Sequence, residues 1–443
     1  MSLIGVLLSF VVLIYLMVKR DWSMLTATIP APLISIIFDG MNLWQGLQSF
    51  YSSGVGSGVQ SYFLLLTVGS LFGHFMAESG CALKIAHILI RLLGRERVGL
   101  TVYLLTLVMV YGGISALVVV FTVGPIALVM CKEANLPRKF LFGAILSGAA
   151  GPAMTSIPGT PSLTNLIPTN YLPTDAMAAP ILGIISSVIQ IVLCLLFLKW
   201  LEKHYKKTNQ TFDENEDVPV LSMDDFPEEG LPSGFIAFVP VIIQVGFIIF
   251  LSKYLGGSTA AAIYGCVIAC AFNYAVNRKN FKQNLGLSVV HGAQGGITAA
   301  INLGAIVGFG IIIKNTKAFT VVYDFCCGLG GGDSIVGILF AELLAVSIFV
   351  AVCASAGGGL EIFWEHMGPV FVAKGVNVEV LHRISSIAAG GFDSLPHNSA
   401  YPIFCTVLGT KFGDCYPLAV VTVLIIPIIS AIVCIFAAGL GIC

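Results

Sequence analysis

Long apolar stretches alternate with short polar ones along the whole chain. Most of them reach or approach the roughly 20 residues that a helix needs to cross about 30 Å of hydrocarbon. The pattern predicts an all-α polytopic membrane protein, because a transmembrane barrel would show short strands of alternating polarity. The apolar segments lie at 3–18, 22–39, 59–78, 98–131, 139–155, 178–200, 235–252, 258–276, 286–313, 334–373, 384–410 and 416–440.

One hydrophilic stretch, 201–233, interrupts this pattern and contains twelve charged residues. Such a segment cannot bury enough apolar surface to fold by itself and is typical of a solvated linker. It divides the chain into a first transmembrane repeat at 1–200, the linker at 201–233, and a second, inverted transmembrane repeat at 234–443.

The two halves show the same order of segments, which indicates an internal repeat. Gly69 to Gly73 in the first half align with Gly304 to Gly308 in the second, and small residues at this spacing let helices approach closely. Ser-Ile-Pro at 156–158 aligns with Ser-Leu-Pro at 394–396. The fold class that we predict is two inverted-topology repeats, each with a re-entrant or broken helical hairpin and a discontinuous helix.

The basic residues predict the orientation. If each half contains three spans, a hairpin that returns to its own side and two further spans, seventeen Lys and Arg residues fall on one side and five on the other. The positive-inside rule makes the first side cytoplasmic. We therefore expect a multi-pass protein of the bacterial plasma (inner) membrane, with both termini outside, linker 201–233 cytoplasmic and an external loop at 40–58. The five outer residues are Lys253, Lys314, Lys317, Lys374 and Arg383.

Composition supports the membrane assignment and limits the partners. Hydrophobic residues make up 57% of the chain and charged residues 10%, and the mean hydropathy is +0.95. A net charge of −1 argues against nucleic-acid binding. Apart from the adjacent Cys326 and Cys327, which have no His partners nearby, the cysteines occur singly in apolar segments. This is typical of reduced core residues, so we expect no metal and no cofactor. The expected partners are a small carboxylate substrate, the lipid bilayer and a second copy of the chain in a homodimer.

Four Gly- or Pro-containing runs inside the apolar segments predict where the chemistry lies. Such runs cannot remain regular helix cheaply, and unwound backbone at membrane depth must be buried in protein or line a cavity. The freed N–H groups can bind a carboxylate and the freed C=O groups a cation. The alternative is that these residues only allow close packing or kinks. The candidate substrate-binding residues are Gly112, Gly113, Ser115, Ser156, Gly159, Thr160, Ser162, Thr164, Asn165, Ser355, Gly357, Gly358, Ser394, His397 and Asn398.

Ionisable residues inside the predicted spans are few and costly. Asp393 and His397 flank the last of the four runs and are the candidates for proton coupling. The alternative is that Asp393 caps the following half-helix and His397 binds a backbone carbonyl. We expect Glu361, Glu365 and His366 at the external end of the second hairpin.

The run Ala388 to Asn398, which includes Phe-Asp393-Ser-Leu-Pro-His397-Asn398, the paired Gly-rich hairpins and the two-half layout together resemble the gluconate permease family of organic acid:proton symporters, part of the ion transporter superfamily. The resemblance implies a dimer with scaffold and transport domains, an elevator movement, and sugar-acid or hydroxy-acid substrates. It places the binding segments at Ser156 to Thr164 and at His397 and Asn398. This chain has Ser-Ile-Pro-Gly-Thr-Pro where the family tends to place a His-Pro-rich turn. Its acidic residue precedes His397 instead of following the Asn, which favours a smaller monocarboxylate.

Three alternatives remain open at the level of sequence. The protein could be a sodium-coupled carboxylate symporter, with Ser162, Thr164 and Asn165 at the sodium site, or a cation:proton antiporter. An intramembrane hydrolase using Ser394, His397 and Asp393 is disfavoured, because the three residues lie within five positions and no nucleophile elbow accompanies them.

Overall fold

The described residues are mostly helical, and no strand occurs among them. The computed structural model describes residues 1–20, 22, 24–94, 97–114, 116–213, 229–251, 254–255, 258–282, 284–321, 334–353, 355–395, 398 and 400–443. Six helical segments in these ranges are long and apolar enough to span a membrane. They are Leu43–Glu78, Pro180–Lys207, Gly234–Leu251, Thr259–Asn280, Leu285–Lys314 and Phe412–Gly439.

The first half contains three apolar helical segments, a hairpin, an interrupted helix and a final long helix, in the order that the sequence predicts. Its hairpin, the first hairpin, consists of α7 and α8. Its interrupted helix is α9 to α11, with a non-helical segment at 156–162 that we call the first break. The helices are α1 (Ser2–Arg20), α2 (Met24–Ala27), α3 (Ala31–Asp39), α4 (Leu43–Gln45), α5 (Ser53–Glu78), α6 (Cys81–Leu93), α7 (Val98–Tyr111), α8 (Ala116–Glu133), α9 (Lys139–Ala150), α10 (Pro152–Thr155), α11 (Leu163–Leu166) and α12 (Pro180–Lys207). A π-helical stretch, Gly46–Ser52, joins α4 to α5.

The second half repeats this order. Its hairpin, the second hairpin, consists of α16 and α17, and its interrupted helix is α19 and α20. We call the segment between them the second break; its described residues after the 3-10 turn are Leu395 and Asn398. The helices are α13 (Gly234–Leu251), α14 (Ser258–Asn277), α15 (Leu285–Lys314), α16 (Ile335–Cys353), α17 (Ala356–His366), α18 (Gly368–Ala373), α19 (Val378–Gly391), α20 (Ala400–Leu408), α21 (Phe412–Ala419) and α22 (Ile426–Gly439). A 3-10 turn, Phe392–Ser394, begins the second break.

The third long helices of the two halves, α5 and α15, pack against each other in opposite directions. A Cβ atom on Gly54 would lie 2.6 Å from the Cα atom of Gly308, and one on Gly58 would lie 2.8 Å from the Cα atom of Gly304. The numbering rises along one helix as it falls along the other. Corresponding helices therefore run antiparallel, as inverted repeats require.

The last long helices of the halves, α12 and α22, show the same relation. The hydroxyl of Ser186 donates to Ser430 Oγ at 3.1 Å, and the thiol of Cys434 donates to the carbonyl of Leu182 at 3.5 Å. Residue numbers rise along α12 as they fall along α22, so these two helices are also antiparallel. The inverted topology is thus visible at two independent places.

Two local predictions are wrong. The segment 40–58 is not an external loop, because helical structure begins at Leu43 and continues into α5. Packing explains this, since Gly54 and Gly58 must lie on a helix to face α15. Gly69 does not mediate close packing either, because a Cβ atom there would meet nothing within 4 Å.

Candidate functional site

The first break satisfies much of its own backbone with its own side chains. Helix α10 ends at Thr155, and the chain becomes helical again at Leu163. The Thr160 hydroxyl donates to the Ala153 carbonyl at 2.5 Å. The hydroxyls of Ser162 and Thr164 both donate to the Met154 carbonyl. Carbonyl groups exposed by the end of α10 are therefore bound locally, so these three side chains stabilise the break.

Gly159 allows the chain to turn inside the first break. Its φ angle is +78°, in the left-handed region that favours glycine, and its N–H donates to the Ala176 carbonyl at 2.9 Å. The Asn165 side-chain amide also donates to Ala176, at 2.9 Å, and to the Thr160 carbonyl at 3.0 Å. The break is thus tied to the segment that leads into α12.

Arg383 of α19 crosses from the second half into the first break. Its side chain is fully buried. The guanidinium donates to the carbonyls of Ala178 at 2.6 and 3.0 Å, Ala176 at 3.5 Å and Ser156 at 3.4 Å, and to Asn165 Oδ1 at 3.0 Å. These bonds use all five N–H groups of the guanidinium. The prediction that Arg383 lies in an external loop is therefore wrong, because unwound carbonyls hold its charge inside the protein.

Ser156, at the start of the first break, belongs to a buried polar cluster with residues of α12 and α22. Its hydroxyl lies 2.9 Å from Ser186 Oγ and accepts a bond of 2.7 Å from the Gln190 side-chain amide. The same amide donates to Ser430 Oγ at 3.1 Å. The cluster joins the first break to α12 and α22, which places Ser156 in a structural contact between the halves.

The tip of the first hairpin lies against the first break. Gly113 has a φ angle of +95°, and a Cβ atom on it would lie 3.5 Å from Pro161. The Tyr111 hydroxyl donates to the Pro158 carbonyl at 3.3 Å. A Cβ atom on Gly112 would lie 2.7 Å from Val241 of α13. Ser115, also a predicted site residue, lies outside the described residues.

The second hairpin brings a helix N-terminus to the second break. The side chain of Ser355 caps α17 by accepting the N–H of Gly358 at 3.2 Å. Asp393 Oδ1 accepts the N–H of Ala356 at 3.0 Å. The amide of Asn398 donates to Asp393 Oδ1 at 2.9 Å and to its carbonyl at 2.7 Å. A carboxylate is therefore bound at the N-terminal end of α17, the position that an anion favours.

Ser394 and Asn398 complete the second break. The Ser394 hydroxyl is buried and donates to the Gly391 carbonyl at 2.8 Å. Asn398 Oδ1 accepts the N–H of Ala400 at 2.8 Å and so caps α20. His397, a predicted coupling and binding residue, lies outside the described residues, as does Pro396.

The predicted segments come together in the fold. A Cβ atom on Gly390, just before the second break, would lie 2.5 Å from Cγ2 of Thr155, just before the first. One on Gly357 of the second hairpin would lie 3.3 Å from Leu163 of α11. The two breaks and both hairpin tips thus form one contiguous region between the halves.

Sequence reasoning missed two contributors to this region. Arg383 was counted as a loop residue, because a basic side chain near the start of an apolar segment is typical of a membrane boundary. Gln190 was not singled out, because it lies in the middle of the apolar segment 178–200. A lone amide inside such a segment was the available signal, since a buried amide needs hydrogen-bond partners.

Two inverted repeats with interrupted helices that meet between the halves are the architecture of secondary transporters. A family model described as GntP family permease matches residues 1–264, and the chain belongs to this family. Its members are permeases and not enzymes, so the hydrolase alternative is wrong.

Individual proteins with related sequences or structures are also transporters. The chain is 29% identical to the uncharacterized transporter YxjC of Bacillus subtilis over 452 residues, covering 94% of each protein. It is 24% identical to the high-affinity gluconate transporter of Escherichia coli over 365 residues, covering 79% of this chain and 78% of the relative. The crystal structure of the YdaH transporter of Alcanivorax borkumensis shares the fold, with a TM-score of 0.56, 15% identity and 90% coverage of both chains.

Proposed function

We propose that this permease is a symporter that moves a small organic acid anion, such as a hydroxy or sugar acid, together with protons. The supporting observation is the bond of 3.0 Å between Asp393 Oδ1 and the N–H of Ala356. The positive end of the α17 dipole favours an anion at this point. A substrate carboxylate is chemically equivalent to the Asp393 carboxylate that occupies the position here.

The Asp393 carboxylate and the substrate carboxylate bind the Ala356 N–H alternately, and this alternation couples anion transport to proton transport. When Asp393 is ionised, it holds the Ala356 N–H and keeps a second anion away by charge repulsion. When Asp393 takes up a proton, its hydrogen bond to the N–H weakens, because bonds to charged acceptors are about twice as strong as bonds to neutral ones. The substrate carboxylate then binds the N–H, and loss of the proton on the other side reverses the exchange.

At the N-terminus of α17 the available hydrogen-bond donors are mostly backbone N–H groups, which favours a small substrate. All five N–H groups of Arg383 are bound to protein oxygens, so the guanidinium contributes a positive potential but no free donor. Recognition then falls on the N–H groups at the start of α17 and on the short side chains around them. A monocarboxylate of the hydroxy-acid or sugar-acid class fits these donors, and the gluconate transporter named above supports that class.

The proposal also covers the oligomeric state, the membrane and the orientation of the protein. It places a homodimer in the bacterial inner membrane, with both termini outside and linker 201–233 in the cytoplasm. The excess of basic residues on the linker side supports this orientation. The α5–α15 pair, whose backbones are in close contact, suits the fixed scaffold of an elevator, and the two hairpins and breaks suit its moving part.

Uptake into proteoliposomes tests the proposal. Purified protein is given labelled lactate, glycerate and gluconate under an inward proton gradient, and separately under a sodium gradient. We expect at least one anion to accumulate only with the proton gradient. Asp393→Asn should strongly reduce this accumulation, because an amide side chain cannot take up and release a proton. Asp414→Asn, a change at an exposed aspartate, is the matched control. Accumulation driven by sodium alone would contradict the proposal.

A further inference from the structure

A second carboxyl group lies on the same short helix as the candidate site. Glu361 is in α17, five residues after Ala356, and is 7% exposed. At 1.5 Å per residue this places it about 7.5 Å along the helix axis from the N-terminal end that holds Asp393. An ionisable side chain buried inside a membrane protein is costly and marks a functional group by default.

Hydroxyl groups from two other segments bind both oxygens of Glu361. The Tyr62 hydroxyl of α5 donates to Oε2, and the Tyr171 hydroxyl, from the segment after α11, donates to Oε1 at 2.6 Å. The side-chain amide of Asn170 donates to the Tyr62 hydroxyl at 3.2 Å. This arrangement joins the second hairpin to α5 and to the end of the first interrupted helix.

The negative charge of ionised Glu361 is not neutralised by a basic group. Within the described ranges Glu361 forms no ion pair, and the titratable groups that face it are Tyr62, Tyr171 and Glu365. Glu365 lies one turn further along α17 and carries the same sign. Neutral hydroxyls stabilise the carboxylate but leave its charge in place.

Only one side chain separates Glu361 from the protein surface. Tyr171, which binds Oε1, is 36% exposed, and Asn170 is exposed beside it. The carboxylate is therefore connected to the protein surface through the Tyr171 hydroxyl. Glu361 lies between the exposed end of α17 and the N-terminus that holds Asp393.

From this juxtaposition we propose that Glu361 is a second proton acceptor of the transport cycle, which must be neutralised before an anion occupies the N-terminus of α17. The inference rests on the proposed anion:proton symport. Ionised Glu361 repels an anion at the helix end through a poorly screened interior. Transfer of one proton from water to a carboxylate oxygen removes that repulsion, and loss of the proton restores it.

The experiment compares two transport modes in proteoliposomes, using the anion that wild-type protein accumulates. One mode is accumulation driven by a proton gradient, and the other is exchange of labelled for unlabelled anion at equal pH. In Glu361→Gln we expect the ratio of gradient-driven uptake to exchange to fall about 10-fold or more relative to wild type. Glu365→Gln, which removes the exposed charge one turn away, should keep the wild-type ratio.

A milder variant covers the case in which Glu361→Gln does not fold. Tyr171→Phe removes one donor to the ionised carboxylate and so favours the protonated form. We expect the external pH of half-maximal uptake to rise by about half a unit or more. Proton-driven wild-type uptake with an unchanged ratio in Glu361→Gln, or an unchanged pH profile in Tyr171→Phe, overturns the inference alone. Wild-type uptake that ignores the proton gradient overturns the proposed function as well.

Discussion

The Arg383 side chain donates to Asn165 Oδ1 at 3.0 Å, although the two residues lie in different halves of the chain and are 218 positions apart. The bond joins α19 to α11 next to the first break. Because Arg383 also binds the carbonyls of Ala176, Ala178 and Ser156, one side chain fixes the unwound backbone of the opposite repeat.

Replacing Arg383 by methionine should destabilise the protein by about 3–5 kcal/mol, the cost of removing one member of a buried charged network. The carbonyls that it serves would lose their donors while remaining buried. Thermal unfolding in detergent, followed by tryptophan fluorescence, measures the effect. Arg278→Met changes an exposed arginine and should leave the midpoint nearly unchanged. Equal midpoints for the two variants would contradict the role of Arg383.

The packing of α5 on α15 predicts opposite effects for two alanine substitutions on one helix. Gly54→Ala would place a Cβ atom 2.6 Å from the Gly308 Cα atom, which should cost about 1–3 kcal/mol. Gly56→Ala meets nothing within 4 Å and should stabilise the helix by up to about 1 kcal/mol. The unfolding midpoint in detergent measures both. A Gly54→Ala protein as stable as Gly56→Ala would show that α5 and α15 are not in contact there.

Two substitutions at Asp393 separate its charge from its hydrogen bonding. Asn at this position keeps an acceptor for the Ala356 N–H but cannot be ionised, so we expect exchange of anion at equal pH to continue while proton-driven accumulation falls strongly. Ala removes the acceptor as well and leaves the start of α17 unanchored, so both activities should fall. Paired exchange and accumulation assays check this. Equal loss of exchange in the two variants would speak against a coupling role.

The orientation predicts that a carboxyl-terminal alkaline phosphatase fusion is active in cells and that the equivalent green fluorescent protein fusion is dark. Seventeen basic residues on the linker side favour a cytoplasmic position for that side. The burial of Arg383 leaves this asymmetry intact, because the change removes a residue from the basic-poor side. A bright fluorescent fusion with an inactive phosphatase fusion would reverse the orientation.

The sequence was sufficient to predict the architecture. Apolar length gives the spans, the repeated order gives two related halves, and Pro158 and Gly159 forecast the first break because neither residue supports regular helix. The interruption before Leu163 and the antiparallel relation of the halves are confirmed. These features depend on local chemistry and on periodicity, and both can be determined from a single amino-acid sequence.

Contacts between the halves could not be predicted in the same way. Nothing in the local sequence of Arg383 indicates that its partners are the carbonyls of Ala176 and Ala178. The bond between Asp393 and Ala356 lies within the second half, but it too depends on tertiary packing, here of the second hairpin against the second break. The roles proposed for Asp393 and His397 remain predictions.

Simultaneous recording of anion uptake and of pH inside the vesicles tests the central claim most directly. With wild-type protein, addition of the transported anion at equal starting pH should acidify the interior, because each anion enters with a proton. Asp393→Asn should show much weaker anion-dependent acidification than wild type, because it lacks one of the two proposed proton acceptors. Wild-type uptake without acidification, or an Asp393→Asn protein that acidifies the interior as wild type does, would contradict the account.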